Sequence, residues 1–545
     1  MLRIRRFLKP LFILTAILLL TLSVSAADLY GTYDQRIKIT VDHTDIDSDL
    51  AWFPVTVFLT DSQGEEVFTE FDADEDFDRI AFTTSDEETQ IYADCELFDD
   101  SEQKAIYHVS KTGWTVSSSV DTDIYLYYDN NAGHNTTYIS KSGDTAAQSV
   151  WDSNFVTVHH MDNAEPNIVT GVKPDHLGSQ AAATAINFNN PTTATGTIDN
   201  IQFYVKDTMN GLVFASFYRP DPGSYPNNWT ARDKDTSHNS TEYNAGLHEV
   251  SVDISVQSGD YIGCYYSSGS MERRLSGYDG IYYKSGDYTE ADNDSFSFFS
   301  GDCIAVLGFS GSDSPILVKD ATSNNLDGTK INIGGPALTT SGKVGNCQSF
   351  DGTDDYIETS DDAALDTGAY NTTEVIFKTD TENQDAKGIV LHDHSDWKYM
   401  IWLTGKSGDV GYFIKTASGN TQALIDDDDN TYADDTYRYF AGVFDKTLGS
   451  NRIVLYENGS SAASANGFNE DITAGDEGIT IARYTTTNLF NGEIDEIRIS
   501  NNARSAAWIA ATYDSLFDTL LSYGSEETEG EEEAETNVLF LFADF

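Results

Sequence analysis

Two stretches far apart in the chain decide its fold: Phe350-Asp-Gly-Thr-Asp-Asp-Tyr-Ile-Glu358 and Phe490-Asn-Gly-Glu-Ile-Asp-Glu-Ile-Arg-Ile-Ser500. In each, a Gly turn feeds a run with apolar residues at alternate positions, the pattern of a strand whose side chains point to opposite faces in turn. Outward from them the same pattern recurs, with short runs of Val, Ile, Tyr, Phe and Thr between clusters of Gly, Asn, Asp and Ser. Such spacing predicts an all-β protein. The helical candidate of note is Arg504 to Leu521, where Ala506, Ala507, Trp508, Ile509, Ala511 and Tyr513 fit one short helix.

At 545 residues the chain exceeds a single core and fits about three domains. Met1 to Ala27 carries Arg3, Arg5, Arg6 and Lys9, then the apolar run Leu11 to Val24, then Ser-Ala-Ala. That order is a secretory signal, so the expected location is secreted, extracellular or cell surface. An uncleaved anchor is the other reading, although the run is short of the roughly 18 residues a span needs; after signal cleavage no integral membrane segment is expected. With 89 acidic and 32 basic residues the net charge is −57, spread along the chain. A field of that sign argues against nucleic acid as a partner and suits salty or Ca²⁺-containing water. Four cysteines (95, 264, 303 and 347) are too few for a disulfide framework and read as buried thiols, with a bridge between Cys264 and Cys303 open if their strands pair.

The two deciding stretches resemble the signature blocks of the concanavalin A-like, laminin-G-type jelly roll, which holds sugar binders, adhesive modules and glycoside hydrolases alike. Residues 28–145, with Leu50-Ala-Trp-Phe-Pro54 and the closing Tyr127-Tyr128-Asp129-Asn130, resemble an extracellular domain family known as DUF2341, with Asp129 standing where that family usually has Gly. In related chains a strand like Phe155-Val-Thr-Val-His-His160 soon reaches a stretch like Asp320-Ala-Thr-Ser-Asn-Asn-Leu-Asp-Gly-Thr329. Here well over a hundred residues intervene. The resemblance therefore implies a jelly roll built from 150–165 and 313–522, interrupted by an inserted β-sandwich at 166–312. Residues 523–545 read as an acidic disordered tail with an apolar tip, Val538-Leu-Phe-Leu-Phe-Ala-Asp-Phe545, which either adds a strand to a protein partner or packs back on this chain.

Three chemistries are open to this class. Glu493-Ile-Asp-Glu-Ile497 is similar to the Glu-x-Asp-x-Glu strand of family 16 glucanases, but strict alternation places Glu493, Asp495 and Ile497 on one face and Glu496 on the other. The second carboxylate of a retaining mechanism is then missing, and no catalytic residue is expected. A structural calcium is implied by the resemblance at Asp495, with the Asp351-Gly352 turn and Asp162 as neighbouring ligands. The Asp426–Asp429 run reads as a solvated loop, and the pairs His159-His160 and His392-Asp-His394 lack a third ligand. Sugar binding would use Trp397 and Tyr399, expected on one strand face beside His394 and Asp396, with Trp402 facing the other way. The expectation is a non-enzymatic binder of glycans or cell-surface polymers; a purely structural envelope, appendage or virion component is the alternative, and a glycoside hydrolase the remote one.

Overall fold

The computed structural model describes residues 29–528 except 30, 72, 163–168, 173–179, 193, 311–316, 332–336, 340, 383, 406–408 and 427–431. Residues 1–28, where a signal segment is expected, most of the aspartate run and the apolar tip lie outside the described residues. The protein is all-β, a set of antiparallel sheets with few short helices. No helix among the described residues is long and apolar enough to cross a membrane.

Alternation builds the first sheet directly. In Gln35–Val41 the residues Ile37, Ile39 and Val41 are fully buried, while their neighbours are half-exposed. The sheet runs Val55–Leu59, Lys104–Ser110, Gln90–Asp99, Ile80–Thr84, Thr122–Tyr128, Gln35–Val41 and finally Leu521–Thr528. That last member corrects the reading of a disordered tail for its first residues, 523–528; residues 529–545 lie outside the described residues. Residues 521–528 form a strand antiparallel to Gln35–Val41. Glu527 meets Arg36 at 2.7 Å and Glu526 accepts from the Tyr128 hydroxyl at 2.6 Å, so the acidic residues do have partners, nearly five hundred and four hundred residues away. Tyr523 supplies the apolar anchor, its hydroxyl accepting the Phe58 N–H at 3.1 Å.

The jelly roll is two facing sheets of eight strands. In one, Asn491–Ser500 is central: Tyr370–Lys378 lines one edge, while Cys347–Asp351 and Phe155–His159 share the other. The second sheet carries Lys387–His392, Tyr399–Thr404, Asp409–Thr416 and Gly419–Ile425 in sequence. Phe377, Phe440, Phe490, Ile401 and Ile414 fill the space between. The opposite face of the first jelly-roll sheet is covered. Ile376, Tyr439, Ala441 and Val443 join one continuous core with the N-terminal sheet and the helix Ala506–Leu516. Ser505 caps that helix, its hydroxyl accepting the Trp508 N–H at 3.2 Å, and Trp508 meets Phe53 edge-on at 5.0 Å.

Residues 169–309 make two further sheets around Phe203, Phe214, Ile254, Ile262 and Val306. Their first strand, Val169–Val172, pairs with their last, Val306–Phe309, so this module leaves and rejoins the chain at one place. All four cysteines are buried, and two strands lie between those that hold Cys264 and Cys303 in their sheet.

Candidate functional site

The outer face of an antiparallel sheet normally meets water and is polar. Here the second jelly-roll sheet breaks that rule. Register pairs Met400 with Leu391 and Phe413, and Trp402 with Gly411, and all of these lie on the side away from the core. Leu391, Met400 and Phe413 are buried beneath three half-exposed rings. Trp397 stacks on Tyr484 with centroids 4.8 Å apart and planes 18° apart; Tyr484 stacks in turn on Trp402 at 5.4 Å and 27°. Gly411 makes this possible, because a Cβ there would sit 2.6 Å from the Trp402 indole nitrogen. That nitrogen donates to Gln422 Oε1 at 3.2 Å.

Trp397 reaches the column from a turn, not from the strand. Asp393 Oδ1 accepts the amides of Ser395 and Asp396 at 3.2 and 3.0 Å, and Trp397 takes a left-handed φ of 37°. Strand parity begins only at Tyr399, so the expected pairing of Trp397 with Tyr399 fails. Tyr399 is fully buried in the jelly-roll core and donates its hydroxyl to the Leu365 carbonyl at 3.1 Å. It offers no ring to a ligand. Trp402 and Tyr484 take its place beside Trp397. Alternation does separate Tyr399 from Trp402, and the outward set forms the column; Tyr484 is the middle residue of the three-residue strand Arg483–Thr485, too short for a periodic signal to mark it.

Charged groups rim the column. Asp396 is bonded by Lys398 and Lys415, whose ammonium groups hold its carboxyl down to about 2. His394 Nδ1 lies 2.6 Å from Glu477 Oε2. His392, two residues away, is instead buried with neither ring nitrogen hydrogen-bonded. The rim is therefore a set of fixed charges and amides around apolar rings.

The four residues expected to share a calcium are dispersed. Asp351 pairs across strands with Asn491, four positions from Asp495, a separation on the order of 10 Å along a strand. Asp351 Oδ1 accepts the Thr353 amide at 2.7 Å across the Gly352 turn, with Asp354 and Asp355 close by. Asp495 Oδ2 accepts two amides, from Lys343 and Val344, and Asp162 accepts from Asn346 Nδ2 at 2.7 Å. One cation cannot be shared by all of them.

The carboxylates of the central strand do not alternate as expected. Ile494 pairs with Phe377 and Ile497 with Val375, so two residues, Asp495 and Glu496, lie opposite one. This β-bulge breaks strict alternation. Ile494, Ile497 and Ile499 all enter the jelly-roll core, and Asp495 and Glu496 both turn away from it, beneath the N-terminal sheet, at 0% and 1% exposure. There Glu496 meets His160, which faces opposite to His159; His159 Nδ1 meets the Lys319 carbonyl at 3.0 Å.

Residues 351–510 match the model of the concanavalin A-like lectin/glucanases superfamily. No curated protein matches the chain. Among solved structures, the binding domain of Paraclostridial Mosquitocidal Protein 1 is similar with a TM-score of 0.31 at 14% identity, over 37% of this chain and 50% of that one. The chain thus spans about half the length of that structure. Domain 4 of AbnA, a GH43 extracellular arabinanase from Geobacillus stearothermophilus solved with arabinotriose, gives 0.28 at 19% identity, over 35% of this chain and 90% of that one. The botulinum neurotoxin serotype D ligand binding domain, solved with N-acetylneuraminic acid, gives 0.28 at 12%, over 36% and 48%.

Proposed function

We propose that this is a secreted or surface-exposed protein that binds glycans or cell-surface polymers without transforming them, through the outer face of the second jelly-roll sheet. The observation that carries this reading is the Trp397–Tyr484–Trp402 column on a sheet face that ordinary folding would make polar. Half-exposed aromatic surface on such a face marks a binding site rather than a stability device. Rings suit the apolar faces of pyranoses, and the surrounding Asp396, Gln422, Lys415 and Glu477 supply donors and acceptors for hydroxyls. Secretion is supported by the leader-like residues 1–27. A non-catalytic role is supported by the burial of Asp495 and Glu496 under the N-terminal sheet, where no polymer reaches them.

A glycan array followed by calorimetry tests the reading. Binding by the native chain should weaken at least tenfold, about 1.4 kcal/mol, in Trp397→Ala, Trp402→Ala and Tyr484→Ala, with folding intact because each ring is half-exposed. Absence of any glycan binding by the native protein would favour an architectural component. Release of reducing sugar from β-glucans, lost in Glu493→Gln, would establish a hydrolase instead.

A further inference from the structure

The module at residues 169–309 has an outer sheet face of its own, and that face is also aromatic where water would favour polar side chains. In its seven-stranded sheet Asn228–Asp235, Val213–Tyr218, Tyr261–Tyr265, Thr184–Asn187, Arg273–Lys284 and Ser297–Ile304 lie in that order. Phe214, Ile262, Ala185 and Ile281 enter the module core, whereas Phe217, Ile186 and Tyr282 alternate with them and build a separate cluster on the far side. Part of that side is roofed. The Tyr282 hydroxyl donates to the Pro226 carbonyl at 3.3 Å, the Phe296 N–H donates to the Asn227 carbonyl at 2.9 Å, and Trp229 is fully buried between them and the sheet.

The roof stops short of three rings. Phe188 and Tyr261 are half-exposed and Phe298 is 40% exposed. Tyr261 stacks on Phe188 with centroids 5.0 Å apart and planes 27° apart, and Phe298 meets Phe188 edge-on at 6.0 Å. Gly280 admits Phe298 as Gly411 admits Trp402, since a Cβ there would sit 2.5 Å from the ring. An aromatic ledge of this kind, next to a covered cluster, is a surface that stability alone does not require.

A cation lies on the ledge. The Arg219 guanidinium carbon is 4.6 Å from the Phe188 centroid and 5.5 Å from that of Trp229. Among the described residues Arg219 is paired with no carboxylate, in a chain whose acidic residues outnumber its basic ones 89 to 32. In the same module Arg232 and Arg273 hold Asp260 and Asp302. Asp221, two residues beyond Arg219, turns instead to the Ser224 amide at 3.0 Å. The Tyr261 hydroxyl beside Arg219 can accept from one of its five N–H donors. A ring attracts the cation without supplying carboxylate oxygens, so the planar fork is left for an acid from outside.

We propose that this face is a second saccharide site, specific for a sugar that bears a carboxylate, with the carboxylate on Arg219 and the sugar ring on Phe188, Tyr261 and Phe298. It lies in a different module from the jelly-roll column and differs from it in having an unpaired guanidinium at its centre. The net charge of −57 repels an anion at a distance, but at physiological ionic strength that field is screened beyond roughly 8 Å. Contact with Arg219 then decides the selection. The exposed Asp279, whose charge acts on Tyr261, opposes it.

The test uses the full chain carrying Trp402→Ala, which removes the column, and titrates it by calorimetry with a glucuronic acid oligosaccharide, with sialyllactose and with the carboxyl-reduced form of each. At least one acidic sugar should bind roughly tenfold or more tighter than its reduced form, and which of them does so separates a uronate from a sialate. Arg219→Gln should erase that preference, Arg219→Lys should keep only part of it, and Asp279→Asn should strengthen it. Phe298→Ser should weaken acidic and reduced sugars alike with the melting temperature little changed. No binding of either acidic sugar, equal binding of acidic and reduced forms, or a preference that survives Arg219→Gln would each overturn the proposal. None of these results bears on the column, which is read with neutral glycans in the native chain.

Discussion

His392 is buried at 1% exposure against Tyr399, with both ring nitrogens unbonded, and burial lowers its pKa to about 4. Between that value and the ordinary 6.5 the unfolded chain takes up a proton that the folded chain refuses. The native state is therefore favoured above pH 6.5 and loses that advantage as pH falls to about 4, an effect of about 3 kcal/mol. Urea midpoints at pH 7 and 4.5 should fall further apart in the native protein than in His392→Gln. Gly411 carries a second prediction. Valine there forces the Trp402 ring off the sheet, so Gly411→Val should abolish glycan binding and the near-ultraviolet signal of the stack, with a small change in melting temperature because the ring swings into water. Neither residue stands out in the sequence: His392 sits in a polar-looking His-Asp-His stretch, and Gly411 is one of 41 glycines.

Elements show where pattern reading succeeds and where it stops. A run such as Gln35–Val41 alternates cleanly, and its buried face follows from residue parity. Asn491–Ser500 does not, because its bulge depends on pairing with Tyr370–Lys378, and a pairing partner lies beyond any local window. The strand Leu521–Thr528 failed for a related reason: its glutamates look unpartnered until Arg36 and Tyr128 are brought beside them. Tyr523→Phe leaves the Phe58 amide without its acceptor and should cost about 1–3 kcal/mol in urea unfolding. Truncation after Leu520 should do more, exposing the Gln35–Val41 edge and giving a lower melting transition with concentration-dependent association.

Across the whole molecule, the all-β class is written in alternation and turn spacing, whereas the two places where chemistry gathers are products of tertiary placement. The aromatic column draws on three separate segments, and the ledge around Arg219 on residues equally far apart in the chain. Charge acts at this scale as well. A net charge of −57 repels itself over roughly 8 Å at physiological ionic strength and over about 3 Å at 1 M salt. The melting temperature should therefore rise between 0.1 and 1 M NaCl, and a flat or falling curve would show that local ion pairs already absorb the repulsion.

The pairing of Gln35–Val41 with Leu521–Thr528 also sets a timetable. During synthesis the N-terminal sheet emerges first but lacks its outer strand until residues 521–528 have left the ribosome, after the jelly roll and its insert. Its open edge must wait, unpaired, through nearly all of translation. That sheet is thus begun early in synthesis and completed only once residues 521–528 are available.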